Sequence, residues 1–243
     1  MFKIGPLTFN LYGLLIALGM WAALKVSLRT SEKRGVEKRT IESAFWWVII
    51  AGLIGARIYH VVDLWQEVYS KDPAGIFYLW QGGLAIWGGV LGGVLGLTSY
   101  YLLKLKKSRI KFLDLLDTTV VGVPLAQAIG RWGNFINREL YGKTTSLPWG
   151  MEVEGVGRVH PLFFYESTLN LMLFLVIFKL RQVASSGVIS GVYLVGYGVI
   201  RTLLENLRPD EIVFKIGNLP VATLVSLVAI STGAVLILRQ RRS

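Results

Sequence analysis

The sequence predicts an all-α polytopic membrane protein with seven transmembrane helices, the N-terminus outside and the C-terminus in the cytoplasm. The chain of 243 residues is 53% hydrophobic and only 17% charged, and long apolar runs recur along it. Each run holds about 20 residues, enough to cross a ~30 Å hydrocarbon layer as a helix. Backbone groups in lipid must be bonded within the segment, which favours helices. The predicted spans are residues 9–28, 43–65, 83–103, 112–133, 162–181, 187–205 and 219–238.

The distribution of basic residues predicts the orientation. The connections after spans one, three and five and the C-terminal tail together carry fifteen Lys and Arg residues, whereas the opposite side carries seven in longer segments. Basic residues are retained on the cytoplasmic side of a membrane. We therefore interpret the net charge of +11 as anchoring to inner-leaflet lipids, and we expect no nucleic acid partner.

The predicted spans divide the chain into three segments. Residues 1–133 hold spans one to four, residues 134–161 form a small extracytoplasmic head, and residues 162–243 hold spans five to seven and a basic cytoplasmic tail. The head contains LPWGMEVEGVGRVHP and is predicted to be irregular or β-containing. Pro124 is expected to bend the fourth span because proline removes a helical hydrogen bond.

Glycines recur at four-residue spacing in the third span, GGLAIWGGVLGGVLG, at Gly88, Gly92 and Gly96. Such a row lets helix backbones approach closely in lipid, so we expect it to pack against another helix. The alternative is that this small surface admits a lipid headgroup beside the helix.

Charged and polar side chains gather near the outer ends of the predicted spans. A charge at the centre of a bilayer costs about 2.5–3.5 kcal/mol on insertion scales, so it implies a partner or a function. Arg131 ends the fourth span, and Arg201 and Glu205 lie four residues apart near the end of the sixth. Asp114 and Asp117 lie near the inner end instead and have no predicted role. The other members of the outer layer are Tyr12, Arg57, His60, Tyr165 and Glu166.

Buried arginines at this depth suit a phosphate ligand. A guanidinium binds phosphate through two parallel hydrogen bonds and is less strongly hydrated than an ammonium. The pattern therefore predicts a protein that handles phospholipid headgroups in the outer leaflet. These residues alone leave open whether it is an enzyme or a lipid or anion carrier.

The stretch GRWGNFINRELYG, residues 130–142, closely resembles the signature of bacterial prolipoprotein diacylglyceryl transferases. That signature, Gly-Arg-x-Gly-Asn-Phe-x-Asn-x-Glu-x-x-Gly, is matched at all eight of its fixed positions. Other segments resemble the same family and follow in the family's order: LYGLLIALG, GARIYHV, GGLAIWGGVLGG, HPLFFYES and GYGVIRTLLENLRPDE.

The resemblance implies that the diacylglyceryl group of phosphatidylglycerol is transferred to the lipobox cysteine thiol of a preprolipoprotein. A thioether forms and glycerol phosphate leaves, which is the first step of bacterial lipoprotein maturation. The implied partners are phosphatidylglycerol, lipobox-containing preprolipoproteins and membrane lipids. The implied location is the bacterial cytoplasmic (inner) membrane, multi-pass, with the active site facing the outer leaflet. The chain has no cysteine, so the attacking sulfur would belong to the substrate.

By analogy with the family, Arg131 and Arg201 bind the phosphate. Glu205 orients Arg201 or accepts the thiol proton. Asn134 and Glu139 hydrogen-bond the headgroup or brace Arg131, and Asn137 has a similar role.

Further binding residues are expected around this set. Gly142 is expected to permit a turn, and Tyr12 to bind the headgroup or to lie in the interfacial aromatic belt. His160 is expected to position the loop before the fifth span, and Arg57 is counted with the substrate-binding residues. Two residues are expected only to secure the start of the fifth span: Tyr165 and Glu166.

One position departs from the family pattern. Many members carry a histidine in the third span where this chain has Trp87, so a histidine base cannot be carried over to that position. His60 is an alternative base, and ionisation of the thiol in the field of the arginines is another.

The sequence contains no nucleotide-binding loop, zinc pattern or serine triad, so no metal or organic cofactor is expected. Two other functions stay open: an outer-leaflet lipid or anion transporter, and a structural subunit of a membrane assembly.

Overall fold

The computed structural model describes residues 2–4, 7–9 and 11–240. Within them, seven helical segments are long and apolar enough to cross a membrane, which confirms the predicted all-α polytopic fold. Arg241 and Arg242 of the predicted basic tail lie outside the described residues. The seven segments are Leu11–Ser31, Lys38–Asp63, Ile86–Leu105, Phe112–Ile136, Leu162–Leu180, Val188–Glu205 and Val221–Arg239.

The fourth span is built from two helices and the third ends in a π-helical turn, Tyr101–Leu105. Pro124 lies in the first turn of the second of these two helices, where its missing N–H costs nothing, so the span is interrupted before the proline where a bend was expected. The α-helices of the described chain are α1 (Leu11–Ser31), α2 (Lys38–Asp63), α3 (Ile86–Tyr100), α4 (Phe112–Val120), α5 (Val123–Ile136), α6 (Leu162–Leu180), α7 (Val188–Glu205) and α8 (Val221–Gln240).

Several helix starts differ from the prediction, and among them α3 begins at Ile86 rather than at residue 83, after Gly82 and Gly83, which have positive φ. α2 begins at Lys38 rather than at residue 43, because the polar turn before the apolar run is also helical. α8 begins at Val221 rather than at residue 219, because β5 (Lys215–Ile216) pairs with β6 (Leu219–Pro220) just before it. Hydropathy marks the lipid-facing length of a helix and not the residues where its hydrogen bonding begins.

Short hairpins account for the remaining strands. β1 (Phe2–Ile4) pairs with β2 (Leu7–Phe9) before α1. Between α5 and α6, β3 (Met151–Val153) pairs with β4 (Gly157–Val159). Of the two alternatives predicted for residues 134–161, irregular or β-containing, the structure has the β-containing one.

The chain packs as two compact units, one spanning Gly35–Leu115 and the other containing the described residues on either side of it. In the first unit, α2 and α3 pack through glycines. A Cβ added to Gly88 would lie 2.2 Å from the carbonyl oxygen of Gly55, and one added to Gly92 would lie 2.2 Å from that of Ala51. The row therefore serves close helix packing. Gly89 and Gly93 form a second row on α3, and an added Cβ on Gly93 would make an ordinary contact of 3.5 Å.

In the second unit, α5 packs against α1 and α6, and α7 packs against α6 and α8. Apolar side chains from α1, α6, α7 and the turn between α4 and α5 fill its core: Val26, Val121, Leu162, Leu173, Phe174, Ile177, Ile189, Ile200 and Leu204. Charged side chains pair at both ends of the helices in this unit. The Arg131 end holds Tyr12 of α1 and the ion pair of Arg131 with Glu166. The Asp117 end holds the ion pair of Arg34 with Asp117.

Asp117 fastens the start of α7 to α4, which gives a structural role to a residue that the sequence left without one. Its carboxylate is fully buried. It accepts hydrogen bonds from Arg34 Nη1 at 3.0 Å, from the Gly187 N–H at 2.8 Å, and from the N–H and hydroxyl of Ser190 at 2.8 and 2.6 Å. A carboxylate at a helix N-terminus satisfies N–H groups that lack a helical partner.

We expect Gly92→Ala to destabilise the protein by about 1–3 kcal/mol, because the new methyl group would overlap backbone atoms of α2. Gly93→Ala on the same helix should have a much smaller effect. Thermal unfolding of both variants in the same detergent measures the difference. Equal stability of the two variants would contradict the close packing of this row.

We expect Asp117→Ala to cost about 3–5 kcal/mol of stability, because it removes a buried charge that pairs with Arg34 and takes the acceptor away from the N–H groups of Gly187 and Ser190. The matched control is Asp210→Ala, which removes an exposed carboxylate paired with Lys143 and Lys215. Denaturant titration of both variants tests this expectation. A midpoint for Asp117→Ala as high as that of the control would remove Asp117 from this role.

Candidate functional site

Three arginines and two glutamates form one ion-pair network at the Arg131 end. Arg131 Nη2 lies 2.5 Å from Glu166 Oε1, and the other oxygen of Glu166 lies 3.9 Å from Arg208 Nη2. Arg208 Nε lies 3.6 Å from Glu205 Oε2, which also pairs with Arg201. This arginine network therefore runs Arg131–Glu166–Arg208–Glu205–Arg201 and joins α5, α6, α7 and the turn after α7.

Burial differs between the two kinds of side chain. The glutamates are 4% and 5% exposed, whereas Arg131 and Arg201 are 23% and 18% exposed. The carboxylates thus lie behind the guanidinium groups and hold them in place. The three arginines of the network carry three positive charges and the two glutamates carry two negative charges. The network therefore has one excess positive charge, which a ligand with a single negative charge would neutralise. A phosphodiester has that charge and matches guanidinium hydrogen bonding.

The pKa of Arg208 reflects its burial and the charges around it. Its pKa lies below the ordinary arginine value, because burial disfavours the charged form and because Arg201 adds a like charge. Glu166 and Glu205 act in the opposite direction. Tyr197 interacts with Arg131, Arg201 and Glu166. The arginines of separate helices therefore share one electrostatic environment, as a common ligand requires.

The signature stretch builds a brace for Arg131. Arg131 Nη1 donates to Asn134 Oδ1 at 3.1 Å, and Asn134 Nδ2 donates to Glu139 Oε1 at 3.0 Å. Asn137 Nδ2 donates to the same carboxylate oxygen at 3.4 Å. The chain can turn back here because Arg138 adopts a left-handed backbone, with φ at 52°. Of the two roles expected for Asn134 and Glu139, the geometry supports the bracing one.

Gly142 and His160 join the end of this stretch to the start of α6. The Gly142 N–H donates to the His160 carbonyl at 2.9 Å. A Cβ added to Gly142 would lie 2.6 Å from the His160 Cβ and 2.9 Å from the Leu207 carbonyl oxygen. Gly142 is not among the glycines with positive φ, and its small size permits this close contact with His160 and Leu207. His160 Nδ1 lies 3.3 Å from the Tyr165 hydroxyl, consistent with positioning of this loop.

Tyr12 packs directly on the signature stretch. A Cβ added to Gly133 would lie 2.3 Å from Tyr12 Cδ2, so the tyrosine ring occupies the space that the glycine leaves open. This contact explains why the signature needs a glycine two residues after Arg131. It also places Tyr12 at the same end of the unit as the arginine network.

Arg57 has a different environment from the other arginines. Its guanidinium donates to four backbone carbonyls of the connection between α2 and α3. The side chain also lies over the Tyr69 ring, at 5.4 Å from its centroid. These contacts support a role in ordering that connection. The four acceptors are the carbonyls of Gly75, Ile76, Gly82 and Gly83.

An apolar groove lies where α5 ends and α6 begins. Its volume is ≈ 560 Å³. Tyr165 helps form one wall, and its hydroxyl accepts a hydrogen bond from Trp149 Nε1 at 2.8 Å. The groove therefore joins the β3–β4 segment to the residues next to Glu166. Its lining residues are Phe135, Trp149, Met151, Pro161, Phe163, Phe164 and Tyr165.

The sequence prediction missed two members of the arginine network and the nearby Tyr197. Arg208 was counted only as a basic loop residue, and Glu166 only as support for the fifth span. A helical stripe could have revealed Arg208 and Tyr197, since Tyr197, Arg201, Glu205 and Arg208 follow one another at intervals of four, four and three residues. No local pattern pairs Glu166 with Arg131, which is 35 residues away.

Proteins of one known family are similar to this chain over nearly its whole length. A sequence profile of the family described as prolipoprotein diacylglyceryl transferase matches residues 1–239. A phosphatidylglycerol–prolipoprotein diacylglyceryl transferase of Finegoldia magna is 38% identical over 244 residues, covering 99% of this chain and 95% of the relative. The protein of the same description from Clostridioides difficile is 39% identical, covering 92% and 88%. That from Synechococcus elongatus is 37% identical, covering 95% and 83%.

Proposed function

Because the chain belongs to the prolipoprotein diacylglyceryl transferase family, we propose that its arginine network binds the phosphate of phosphatidylglycerol during transfer. The chain is a transferase that moves the diacylglyceryl group from phosphatidylglycerol to a prolipoprotein, the first step of lipoprotein maturation. The observation that carries the proposed site is the single excess positive charge of the network, presented by partly exposed guanidinium groups over buried carboxylates.

The proposed step exchanges one bond for another. The sulfur of the lipobox cysteine attacks the glyceryl carbon that bears the phosphate, so a C–S bond forms as the C–O bond breaks. The bonding electrons go to the phosphate oxygen, and glycerol phosphate leaves with the proton that the thiol gives up. Negative charge develops on the leaving oxygen in the transition state, and fixed positive donors stabilise charge that develops there.

Each member of the arginine network has a separate part in this proposal. Arg131 and Arg201 contact the phosphate from two helices. Glu205 lies between Arg201 and Arg208, which supports the role of holding Arg201 over that of accepting the thiol proton. Glu166 holds Arg131 and Arg208 in the same way.

The proposed orientation places the Arg131 end toward the outer leaflet of the bacterial cytoplasmic (inner) membrane. Basic residues of the second unit gather at the Asp117 end, which the positive-inside rule assigns to the cytoplasm. Among them are Arg34, which pairs with Asp117, and Arg181, which follows α6. A secreted preprolipoprotein would then meet the lipid headgroup at the Arg131 end.

We expect Arg131→Lys and Arg201→Lys each to lower kcat/KM for transfer by about 10²-fold or more. Lysine keeps the charge but cannot form the paired hydrogen bonds of a guanidinium, and loss of one such stabilising donor typically has this effect. The measurement is a gel shift of a lipobox peptide incubated with purified protein and phosphatidylglycerol. Released glycerol phosphate is measured in parallel, because a carrier would produce none.

The matched control for these variants is Arg158→Lys. Arg158 forms an exposed ion pair with Glu152 on the β3–β4 hairpin. The Arg158→Lys variant should keep near-normal turnover. All three lysine variants should insert into the membrane and unfold like the unaltered protein. Normal turnover of a folded Arg201→Lys variant would remove bidentate phosphate binding by that residue from the mechanism.

We expect Arg208→Gln to lower kcat/KM by about 10²-fold, because it removes the charge that joins Glu166 to Glu205 and helps neutralise the leaving group. Arg208→Lys should recover part of the activity by restoring a point charge. Steady-state kinetics at varied phosphatidylglycerol concentration separate the effects on KM and kcat. A stable Arg208→Gln variant with unchanged kinetics would show that Arg131 and Arg201 suffice.

A further inference from the structure

A second polar layer lies one helical turn further into the bundle than Arg131. Gln127 precedes Arg131 by four residues on α5, Asn170 follows Glu166 by four on α6, and Tyr193 precedes Tyr197 by four on α7. Residues four apart lie on one helix face, separated by about 6 Å along the axis. Three helices thus each place a second polar side chain on the face that carries the first. We call Gln127, Asn170 and Tyr193 the amide layer.

Contacts between the helices place these side chains at one level. Gln127 Nε2 donates to the Tyr193 hydroxyl at 3.1 Å. The Ser167 hydroxyl donates to the Ala128 carbonyl at 2.9 Å, which holds antiparallel α5 and α6 in the register that pairs Arg131 with Glu166. The same register puts Asn170 at the level of Gln127.

Stacking also connects the amide layer to the site above it. The Tyr193 ring stacks on the Tyr197 ring, with centroids 5.8 Å apart. Tyr197 in turn shares the electrostatic environment of Arg131 and Arg201. Along the helix axes, the amide layer is therefore the next polar layer that a molecule bound by the arginines would meet.

Asn170 is the unusual member of the amide layer. It is fully buried, yet neither its Nδ2 nor its Oδ1 has a hydrogen-bond partner among the described residues. The Gln127 Oε1 atom is likewise buried without a partner in the described chain. Buried polar atoms are nearly always hydrogen-bonded, so these atoms point to a polar ligand.

We propose that the amide layer binds the ester carbonyl oxygens of the diacylglyceryl group. This inference rests on the proposed function, in which the arginine network holds the phosphate. The glycerol carbons place the two esters only a few bonds from that phosphate, and the acyl chains run toward the bilayer centre. The esters of the bound lipid must then lie deeper than the phosphate, which is where the amide layer is found.

The chemistry of the layer fits these groups. An ester carbonyl oxygen is a neutral acceptor. Asn170 Nδ2 is a neutral donor with no partner in the described part of the chain, and the Tyr193 hydroxyl, whose oxygen already accepts from Gln127, keeps its hydrogen to donate. Neutral donors thus lie at the depth of the neutral carbonyls, and guanidinium groups lie at the depth of the phosphate.

Binding at both levels would position the reacting carbon. That carbon lies between the phosphate and the nearest ester oxygen, so holding both groups orients its C–O bond for attack by sulfur. Asn170 and Tyr193 are positioning residues in this account, since the bond changes take place above them. A site built to hydrogen-bond a substrate group discriminates against an analogue without that group.

The test compares ester-linked phosphatidylglycerol with dialkyl ether phosphatidylglycerol of the same chain length, using the intact protein and one lipobox peptide. The ether lipid keeps the phosphate, the leaving group and the attacked carbon but lacks both carbonyl oxygens. We expect the unaltered protein to use it at least ~10-fold less efficiently in kcat/KM. Tyr193→Phe and Asn170→Leu should lose rate on the ester lipid and little on the ether lipid, so the discrimination shrinks.

Tyr101→Phe is the matched control, since it removes a tyrosine hydroxyl from the other compact unit and should keep the full discrimination. Equal use of both lipids by the unaltered protein would overturn the inference while leaving the transferase function in place. Equal loss on both lipids in Tyr193→Phe and Asn170→Leu would also overturn it, because a purely structural or water-binding layer predicts that result. If Asn170→Leu fails to fold, Tyr193→Phe and the unaltered protein decide. No transfer from the ester lipid by the unaltered protein would instead refute the proposed function.

Discussion

The burial of Glu166 and Glu205 is the constraint on which the rest of the site depends. Three guanidinium groups that share two carboxylates repel one another, and their repulsion is stronger where water is largely excluded. Each glutamate lies between two arginines, so the carboxylates make it possible to gather this charge. The arginines hold their positions before any lipid arrives, and a preorganised donor needs no reorganisation as the transition state forms.

The two ends of the second unit use buried charge differently. At the Asp117 end, one carboxylate accepts four hydrogen bonds and fastens α4, α7 and the segment after α1 together. Its pairing with Arg34 leaves little charge for a ligand. At the Arg131 end the positive charges outnumber the negative ones and remain partly exposed. The first arrangement closes the bundle and the second leaves it able to bind an anion.

Sequence reasoning predicted what depends on local composition and missed what depends on long-range contact. The seven spans follow from apolar length, and the break beside Pro124 follows from proline geometry. Arg131 and Arg201 were predicted to lie at the same level because the predicted orientation of each span gives the depth of its residues in the membrane. Arg57 was placed at the same depth, but depth does not reveal that its guanidinium is bonded to four carbonyls of its own connection. The pairing of Glu166 with Arg131 needs the packing of α5 on α6, which no single span encodes.

The replacement of the usual family histidine by Trp87 bears on how the thiol loses its proton. Glu166 and Glu205 each lie between two guanidinium groups, so a proton on either carboxylate would weaken the hold on the arginines. The leaving glycerol phosphate gains negative charge as the C–O bond breaks, and it can carry the proton that the thiol releases. Atoms and charge therefore balance with no side-chain base. In the proposed function, what the protein contributes is a fixed positive field around the phosphate, and that field would come from Arg131, Arg201 and Arg208 and not from a residue of the third span.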